Sequence, residues 1–149
     1  MPGLFSGGVP TETTLQALAA RGIRQVVDLR QPHEKAGNEA RVCEQLGLEY
    51  VALPMAESLP DFPATEQLLR RLSSTPTYLH CHHGSDRSGA IVALYRTEVQ
   101  GWSLPQAGTE LLRHGFNPHL EVLAHDICFY TRELRREPLK QALHRVATT

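Results

Sequence analysis

The sequence predicts an α/β fold, in which helices flank a mostly parallel sheet. Short apolar runs typical of buried strands alternate along the chain with longer segments whose apolar residues recur every three or four positions. Glycine or proline separates most of these segments, as is usual in turns and at the ends of helices. The chain of 149 residues suits one domain, so we predict a single domain over residues 1–149.

The first predicted elements are a helix and the strand that follows it. Thr11 can cap a helix that runs to Arg21 and carries Leu15 and Leu18 on one face. A glycine ends this helix, and the apolar run over residues 23–29 predicts the first strand.

The next segment repeats the helix and strand pattern. A second helix is predicted over residues 34–46, although Gly37 and Asn38 weaken its first turns. The apolar run over residues 48–53 predicts a second strand. A helix over residues 64–72 follows, because three leucines fall on one helical face there.

One strand and three helices complete the prediction. The strand covers residues 77–80, and the apolar segment over residues 88–100 predicts the helix after it. Ser103 begins a shorter helix that ends near Gly115. The last helix is predicted over residues 120–136.

The loop before residue 88 joins a cysteine to an arginine across five residues. It reads His-Cys-His-His-Gly-Ser-Asp-Arg-Ser over residues 80–88. A helix N-terminus and a nearby cation both lower the pKa of a cysteine thiol, so Cys81 is predicted to be a thiolate nucleophile. Arg87 carries a planar fork of donors that matches two phosphate oxygens. The loop therefore predicts a site of phosphate transfer.

The backbone of the same loop suits an anion. Its N–H groups converge at a helix N-terminus, where anions bind, and Gly84 allows the tight curvature that such a loop needs. The predicted phosphate-binding residues are His82, His83, Gly84, Ser85, Asp86 and Arg87. Ser88 can donate a hydrogen bond to the sulfur, which helps Cys81 leave when a phosphoenzyme is hydrolysed.

A packing cysteine and a metal site are the two other interpretations of this segment. His82 and His83 are adjacent and point in different directions in most backbones, and no second Cys or His follows at zinc-finger spacing. The catalytic interpretation fits better, because nucleophile, anion loop and cation occur in order. His80 is either a buried scaffold residue or a group that tunes the thiol.

The motif His-Cys-x5-Arg-Ser resembles the signature loop of the cysteine-dependent protein phosphatases. The chain is similar to their small bacterial dual-specificity and tyrosine phosphatase-like members, and further similar segments within residues 3–135 are residues 6–10, 26–30, 50–55 and 93–103. The resemblance implies a three-layer fold, phosphomonoester hydrolysis through a phosphocysteine intermediate, and no metal or other cofactor. Ser88 stands where many members have Thr, a change that keeps the hydroxyl.

Phosphate transfer also needs a group that protonates the leaving oxygen and later deprotonates water. Family members generally place an aspartic acid in the loop over residues 57–63, so we expect Asp61 to be this acid and base. Glu57 is its rival, and Asp61 has a non-catalytic alternative as the cap of the following helix. Asp86 is a third carboxylate, for which orienting the loop or binding water is the expected role.

Two other functions remain open from the sequence. The segment over residues 28–34 resembles rhodanese sulfurtransferases, which also hold a reactive cysteine in an anion-binding loop. The five-residue interval and the Arg-Ser-Gly ending favour a phosphatase. A phospho-binding pseudophosphatase is the non-enzymatic alternative, and the intact Cys81, Arg87 and Ser88 argue against it.

Composition excludes some partners and compartments. The net charge of −1 gives no overall attraction to nucleic acid or to an anionic membrane, and no apolar stretch reaches transmembrane length. The three cysteines are odd in number, which favours a reducing, cytoplasmic location, with a trimmed signal peptide left open. We expect a monomer that acts on a phosphorylated protein or a small phosphomonoester.

Overall fold

A four-stranded parallel sheet forms the centre of the protein in the computed structural model, which describes the backbone of residues 3–136 and the side chains of residues 3–131. The strands in chain order are β1 (Leu4–Gly7), β2 (Gln25–Asp28), β3 (Glu49–Ala52) and β4 (Thr77–His80). Their spatial order is β1-β4-β2-β3, with every neighbouring pair parallel. The predicted α/β class and parallel sheet are confirmed.

Six α-helices connect and flank the strands within the described backbone. They are α1 (Glu12–Ala20), α2 (Glu39–Gln45), α3 (Phe62–Ser74), α4 (Arg87–Leu94), α5 (Leu104–Arg113) and α6 (Glu121–Arg136). A 3-10 turn spans Pro32–Glu34, and α4 continues into a π-helical turn over Tyr95–Val99. As predicted, the Thr11 hydroxyl caps α1, accepting from the backbone N–H of Thr14 at 3.1 Å.

The helices lie on both faces of the sheet, so the fold has three layers. Val27 and Leu79 point to one face and pack in a core with residues of α3, α4 and α6. Val26 and Tyr78, the preceding residues on the same strands, pack on the other face with residues of α1 and α2. Because both faces are covered, β2 and β4 are buried along their whole length.

Two segments differ from the sequence prediction. The helix expected over residues 34–46 is replaced by the 3-10 turn, an irregular stretch and the shorter α2, with Gly37 at a φ of +83° in that stretch. Strand β1 has no counterpart in the prediction. It is an edge strand whose two middle residues are exposed, so it lacks the buried apolar pair at the centre of β2.

The parallel strands end at one edge of the sheet and bring distant segments together there. His80, the last residue of β4, is aligned with Gly7 of β1 on one side and with Asp28 of β2 on the other. Ligand sites of parallel sheets lie at the carboxyl ends of the strands. Within residues 3–136, no helix has both the length and the apolar character needed to cross a bilayer.

Candidate active site

The loop predicted to be catalytic leaves the centre of the sheet and enters a helix. Cys81 follows directly after β4, and Arg87 is the first residue of α4. Since β4 lies between β1 and β2, the loop is supported from both sides by neighbouring strand ends. Its backbone N–H groups lie at the N-terminus of α4, where partial positive charge favours an anion.

Cys81 lies at the buried end of this loop. Only 2% of the residue is exposed, and its Sγ accepts a hydrogen bond from the backbone N–H of Gly84 at 3.3 Å. The hydroxyl of Ser88, also buried, lies 3.4 Å from the same sulfur. The structure therefore brings together the predicted nucleophile and the hydroxyl predicted to assist it.

These contacts decide the ionisation tendency of the thiol. Burial by itself raises the pKa of Cys81, but the hydrogen bonds from Ser88 and the Gly84 amide and the charge of Arg87 lower the pKa below its usual value of 9.0. No such donor among the described residues contacts Cys43, and burial together with nearby carboxylates raises the pKa of its thiol to about 11. Of these two buried cysteines, Cys81 is the one stabilised as a thiolate.

Gly84 is required where the loop crosses the end of β1. Its φ is +81°, and a Cβ at this position would lie 2.3 Å from the carbonyl carbon of Gly7 and 2.4 Å from the nitrogen of Gly8. Real Cβ atoms do not approach backbone so closely. The missing side chain at position 84 lets the loop curve against β1 while its N–H points to the sulfur.

Arg87 is held by a carboxylate that sequence analysis did not select. Its two terminal nitrogens donate to the two carboxylate oxygens of Glu34, each at 2.6 Å, and one of them also donates to the carbonyl of Met55 at 3.0 Å. The Arg87 hydrogen bonds lower the pKa of Glu34 to about 2. Within the described side chains, the Nε–H of Arg87 makes no hydrogen bond. Glu34 thus holds the two terminal nitrogens of the guanidinium and leaves its Nε–H side available to another group.

A cavity of about 520 Å³ opens at Arg87. Its lining residues are Gln31, His33, Glu34, Ala56, Glu57, Asp86, Arg87, Leu120 and Leu123. Two of the three candidate carboxylates, Glu57 and Asp86, therefore border the cavity. Asp61 is not among its lining residues, and its side chain caps α3 by accepting from the Ala64 N–H at 2.9 Å.

The remaining loop residues have distinct surroundings. Asp86 accepts from the backbone N–H of Asn117 at 2.8 Å, which ties the catalytic loop to the connection between α5 and α6. His82 and His83 are exposed, and their rings meet edge to face with centroids 4.5 Å apart. Ser85 is partly buried, with its Cβ near Gly115. The predicted phosphate-binding groups of the loop remain its backbone amides and Arg87.

Among the described side chains, one group of three has atoms close enough to share a metal ion. Asp28, Glu39 and His80 offer ligand atoms that all lie within 4.8 Å of one another. The guanidinium of Arg30 contacts both carboxylates, at 3.0 Å and 3.3 Å, so a permanent cation already occupies the site. The group is an internal ion-pair cluster.

Comparison with known proteins agrees with this geometry. A family model described as "DSP-PTPase phosphatase fused to NAD+ Kinase" matches residues 3–118. The dual specificity protein phosphatase TpbA of Pseudomonas aeruginosa (strain UCBPP-PA14) is 27% identical over 146 residues, which cover 95% of this chain and 64% of that relative. The chain thus spans less than two thirds of this curated relative.

Solved structures show the same fold. The crystal structure of P. aeruginosa TpbA matches with a TM-score of 0.73 and 26% identity, covering 97% of this chain and 88% of that one. The structure of a TpbA variant in complex with pTyr, at 21% identity, matches with a TM-score of 0.71 over 91% of this chain and 87% of that one. With most of its length matched by the family model, the chain belongs to the DSP-PTPase phosphatase family.

Proposed function

We propose that the protein hydrolyses phosphomonoesters through a phosphocysteine intermediate on Cys81. The observation that carries this proposal is the sulfur itself, which is buried, accepts the Gly84 N–H and has a lowered pKa beside Arg87. A thiolate is a competent nucleophile at neutral pH. The family favours a phosphatase over the sulfurtransferase alternative.

In the first step, the Cys81 thiolate attacks phosphorus, a sulfur–phosphorus bond forms, and the bond to the ester oxygen breaks. The loop N–H groups and the Nε side of Arg87 bind the phosphoryl oxygens and stabilise the charge that redistributes in the transition state. A carboxylic acid at the cavity donates its proton to the leaving oxygen.

In the second step, water attacks phosphorus, and the sulfur leaves as a thiolate. The same carboxylate, now ionised, accepts a proton from the water. Ser88, 3.4 Å from Sγ, donates a hydrogen bond to the departing sulfur. The charge of Arg87 and the dipoles of the loop N–H groups stabilise the negative charge on the phosphoryl oxygens in both steps. The mechanism therefore requires no metal ion.

The acid comes from the loop over residues 57–61, and we propose Glu57 for the role. Glu57 borders the cavity that Arg87 also lines, whereas Asp61 is engaged as the cap of α3. Asp61 stays the alternative, because it is exposed and its capping side chain can rotate away from the helix. Asp86 is assigned to loop orientation through its bond to Asn117.

We propose aryl phosphomonoesters, phosphotyrosine above all, as the substrate class. Cys81 is almost fully buried, so a phosphate carried on a long, flat aryl group reaches the sulfur more readily than a phosphate on a short alkyl group. The apolar side chains of Leu120 and Leu123 line the cavity and suit a ring. The dual specificity named for TpbA makes phosphoserine and phosphothreonine proteins the next class to test.

A monomer in the cytoplasm is the proposed setting. The thiols of Cys43, Cys81 and Cys128 are free, which supports a reducing compartment where the nucleophile stays active. Size-exclusion chromatography with light scattering tests the monomer.

Hydrolysis of phenyl phosphate in excess chelator tests the function. The proposal expects turnover by the wild-type chain and none by Cys81→Ser, which lacks an ionisable thiol. Phosphate binding without turnover in the wild type would indicate a pseudophosphatase. Thiocyanate production from thiosulfate and cyanide, without phosphate release, would indicate the sulfurtransferase instead.

A further inference from the structure

Strand β1 forms one edge of the sheet, and its outer side has no partner strand within the described backbone. On its inner side, the N–H of Thr77 in β4 donates to the carbonyl of Gly3 at 2.8 Å, which sets the alternation of the ladder. Every second residue from Gly3 onward therefore points its backbone groups to β4, and those of Leu4 and Ser6 point outward. Their N–H and C=O groups are available to a further strand.

Strand β1 lacks the features by which edge strands usually prevent pairing. Its sequence, Leu-Phe-Ser-Gly, contains no charged residue and no proline, and the aromatic side chain of Phe5 is exposed. The opposite edge strand, β3, has charges beside it. Glu49 pairs with Arg71 at 3.2 Å, and the ammonium group of Lys35 lies over the ring of Tyr50. Of the two edges of the sheet, β1 is the one open to an added strand.

A cavity of about 440 Å³ lies beside this open edge, between β1 and the helices α4 and α5. Its apolar wall consists of Leu4 of β1, Val92 and Ala93 of α4, and Ala107 and Leu111 of α5. Leu4 packs against the core on the sheet face that α4 covers. Every second side chain of an added strand would point to this same face and enter the cavity.

The charged groups that line the cavity do not require a charged ligand. Arg96 donates to both carboxylate oxygens of Glu110, at 2.9 Å and 3.0 Å, and also to Gln100 at 2.6 Å. Its guanidinium lies over the ring of Trp102. His114 is the remaining titratable residue of the lining. Because the arginine and the glutamate neutralise each other, the lining suits apolar side chains.

Both the open edge and the cavity reach the catalytic loop. Gly7, the last residue of β1, is aligned with His80, which directly precedes the nucleophile. Gly84, whose N–H donates to the sulfur of Cys81, also lines the cavity. Neighbouring strands lie about 4.8 Å apart, so a segment paired with β1 would lie roughly 10 Å from β4. A few residues of extended chain span that distance.

We propose that the outer edge of β1 and the adjoining cavity bind an extended, apolar segment of the substrate protein, close in sequence to its phosphorylated residue. This role rests on the phosphatase function proposed above and adds recognition of the protein chain to recognition of the phosphate. Hydrogen bonds to the backbone of Leu4 and Ser6 supply affinity, and the cavity selects apolar side chains at alternate positions.

Three phosphotyrosine peptides test this proposal. The first carries Val-Thr-Val-Thr-Val on both sides of the phosphotyrosine, the second carries Gly-Ser-Gly-Ser-Gly there, and the third is the first with N-methyl groups on alternate amides. We expect the wild type to have a kcat/KM about tenfold higher for the first peptide than for the other two, because only the first can pair as a strand with apolar side chains. Equal values for the first and third peptides would overturn the proposal.

Ser6→Pro locates the effect at β1. Proline removes the outward N–H and blocks an added strand, but the ladder to β4 does not use this N–H. The ratio of kcat/KM between the first and second peptides should fall to about one. Ser6→Ala is the matched control, since it removes the hydroxyl, keeps the N–H and should keep the ratio. A ratio that is the same in both variants would contradict the proposed site.

A titration of ¹⁵N-labelled wild type with the unphosphorylated Val-Thr peptide needs no catalysis. The amide signals of Leu4 and Ser6 should shift, those of β3 should not, and the N-methylated peptide should shift neither. Unmoved signals at Leu4 and Ser6 would overturn the proposal. Shifts that depend on protein concentration without peptide would also overturn it, because they would show pairing between two copies of the chain. A failed phosphatase assay leaves this titration unaffected, so the two failures are distinguishable.

Discussion

The pairing of Arg87 with Glu34 explains how a single guanidinium can be ready for phosphate before phosphate arrives. A free arginine side chain samples many conformations, and fixing it during the reaction would cost conformational entropy. The two 2.6 Å hydrogen bonds to Glu34 fix it in advance. In the proposed mechanism, Glu34 therefore acts through Arg87 and needs no contact with the phosphate.

Glu34→Gln tests whether Glu34 positions Arg87. The amide keeps the shape of the side chain but offers Arg87 one neutral acceptor in place of two charged ones, and its NH2 group cannot accept the second guanidinium N–H. We expect kcat/KM for phenyl phosphate to fall about tenfold, with Cys81 alkylation at saturating pH unchanged. Glu12→Gln, at an exposed position in α1, is the control. An unchanged kcat/KM would mean that Arg87 is positioned by other contacts.

The sequence predicted the residues of the catalytic loop but not their partners, because sequence patterns report only on residues that are close along the chain. Cys81, Arg87 and Ser88 lie within eight positions, so a strand followed by a helix is enough to bring them together. Glu34 is 53 positions from Arg87, and no local pattern reports a contact across that distance. The only local signal is that Glu34 follows closely after the buried strand β2, whose end faces the same edge of the sheet.

The loop over residues 57–61 is an element fixed at several points. The backbone N–H of Leu59 donates to Asp126 of α6 at 3.1 Å. The carbonyl of Pro60 accepts from the hydroxyls of Tyr130 and Thr65. These bonds hold the segment that carries Glu57 against the helices, beside the cavity that Glu57 borders.

A comparison of leaving groups assigns the acid within this loop. A missing acid costs most when the leaving alcohol is poor, so Glu57→Gln should slow phenyl phosphate hydrolysis far more than nitrophenyl phosphate hydrolysis. It should also remove the basic limb of the pH–rate profile. Asp61→Asn keeps a good helix cap and should be nearly silent, whereas Asp61→Ala should lower the free energy of unfolding by about 1 kcal/mol. The reverse pattern would assign the acid to Asp61.

The catalytic loop as an element depends on Gly84, and Gly84→Ala tests that dependence. The new methyl group would meet the Gly7 and Gly8 backbone, so the loop must shift and withdraw an N–H from the sulfur. We expect a loss of about 100-fold in turnover.

Gly22→Ala separates this steric effect from backbone strain. Gly22 has a φ of +95°, but a Cβ added there would meet nothing within 4 Å. The Gly22→Ala variant should lose about 1 kcal/mol of stability and keep full activity. Equal activity in the two variants would contradict a role for the close contact at Gly84.

Element boundaries could be predicted where burial is uniform and not where a strand or helix is marginal. Strands β2 and β4 are wholly buried, and each has two adjacent apolar residues at its centre. β1 has two exposed residues between partly buried ends and finishes in glycine, so its sequence resembles a turn. The segment before α2 combines a proline, a glycine at positive φ and Asn38, so the 3-10 turn stops and α2 begins only at Glu39.

At the scale of the whole molecule, two carboxylates in ion pairs couple folding to pH. Ion pairing with Arg87 lowers the pKa of Glu34 from 4.5 to about 2. Burial opposes ionisation of Asp28, yet its bonds to Arg30 and Tyr50 lower its pKa from 3.8 to about 2. A depressed folded-state pKa contributes stability above the unfolded value that is lost as pH falls through the folded value.

The free energy of unfolding should therefore decrease as pH falls from about 4.5 to about 2. Urea denaturation at a series of pH values measures this slope. Glu34→Gln removes one of the two contributions and should make the free energy of unfolding depend less steeply on pH between about 4.5 and about 2. Above that range the variant should differ from the wild type by a constant free energy of unfolding. A slope identical to that of the wild type would show that the Glu34 pair is absent in solution.

The central claim, a covalent phosphocysteine on Cys81, is tested most directly by trapping it. Ser88→Ala should slow departure of the sulfur, so the intermediate should accumulate when this variant is mixed with nitrophenyl phosphate and rapidly quenched in denaturant. Peptide mass spectrometry is predicted to find one phosphoryl group on Cys81, and none in Cys81→Ser treated in the same way. A phosphoryl group on another residue, or metal-independent turnover that survives in Cys81→Ser, would contradict the covalent mechanism.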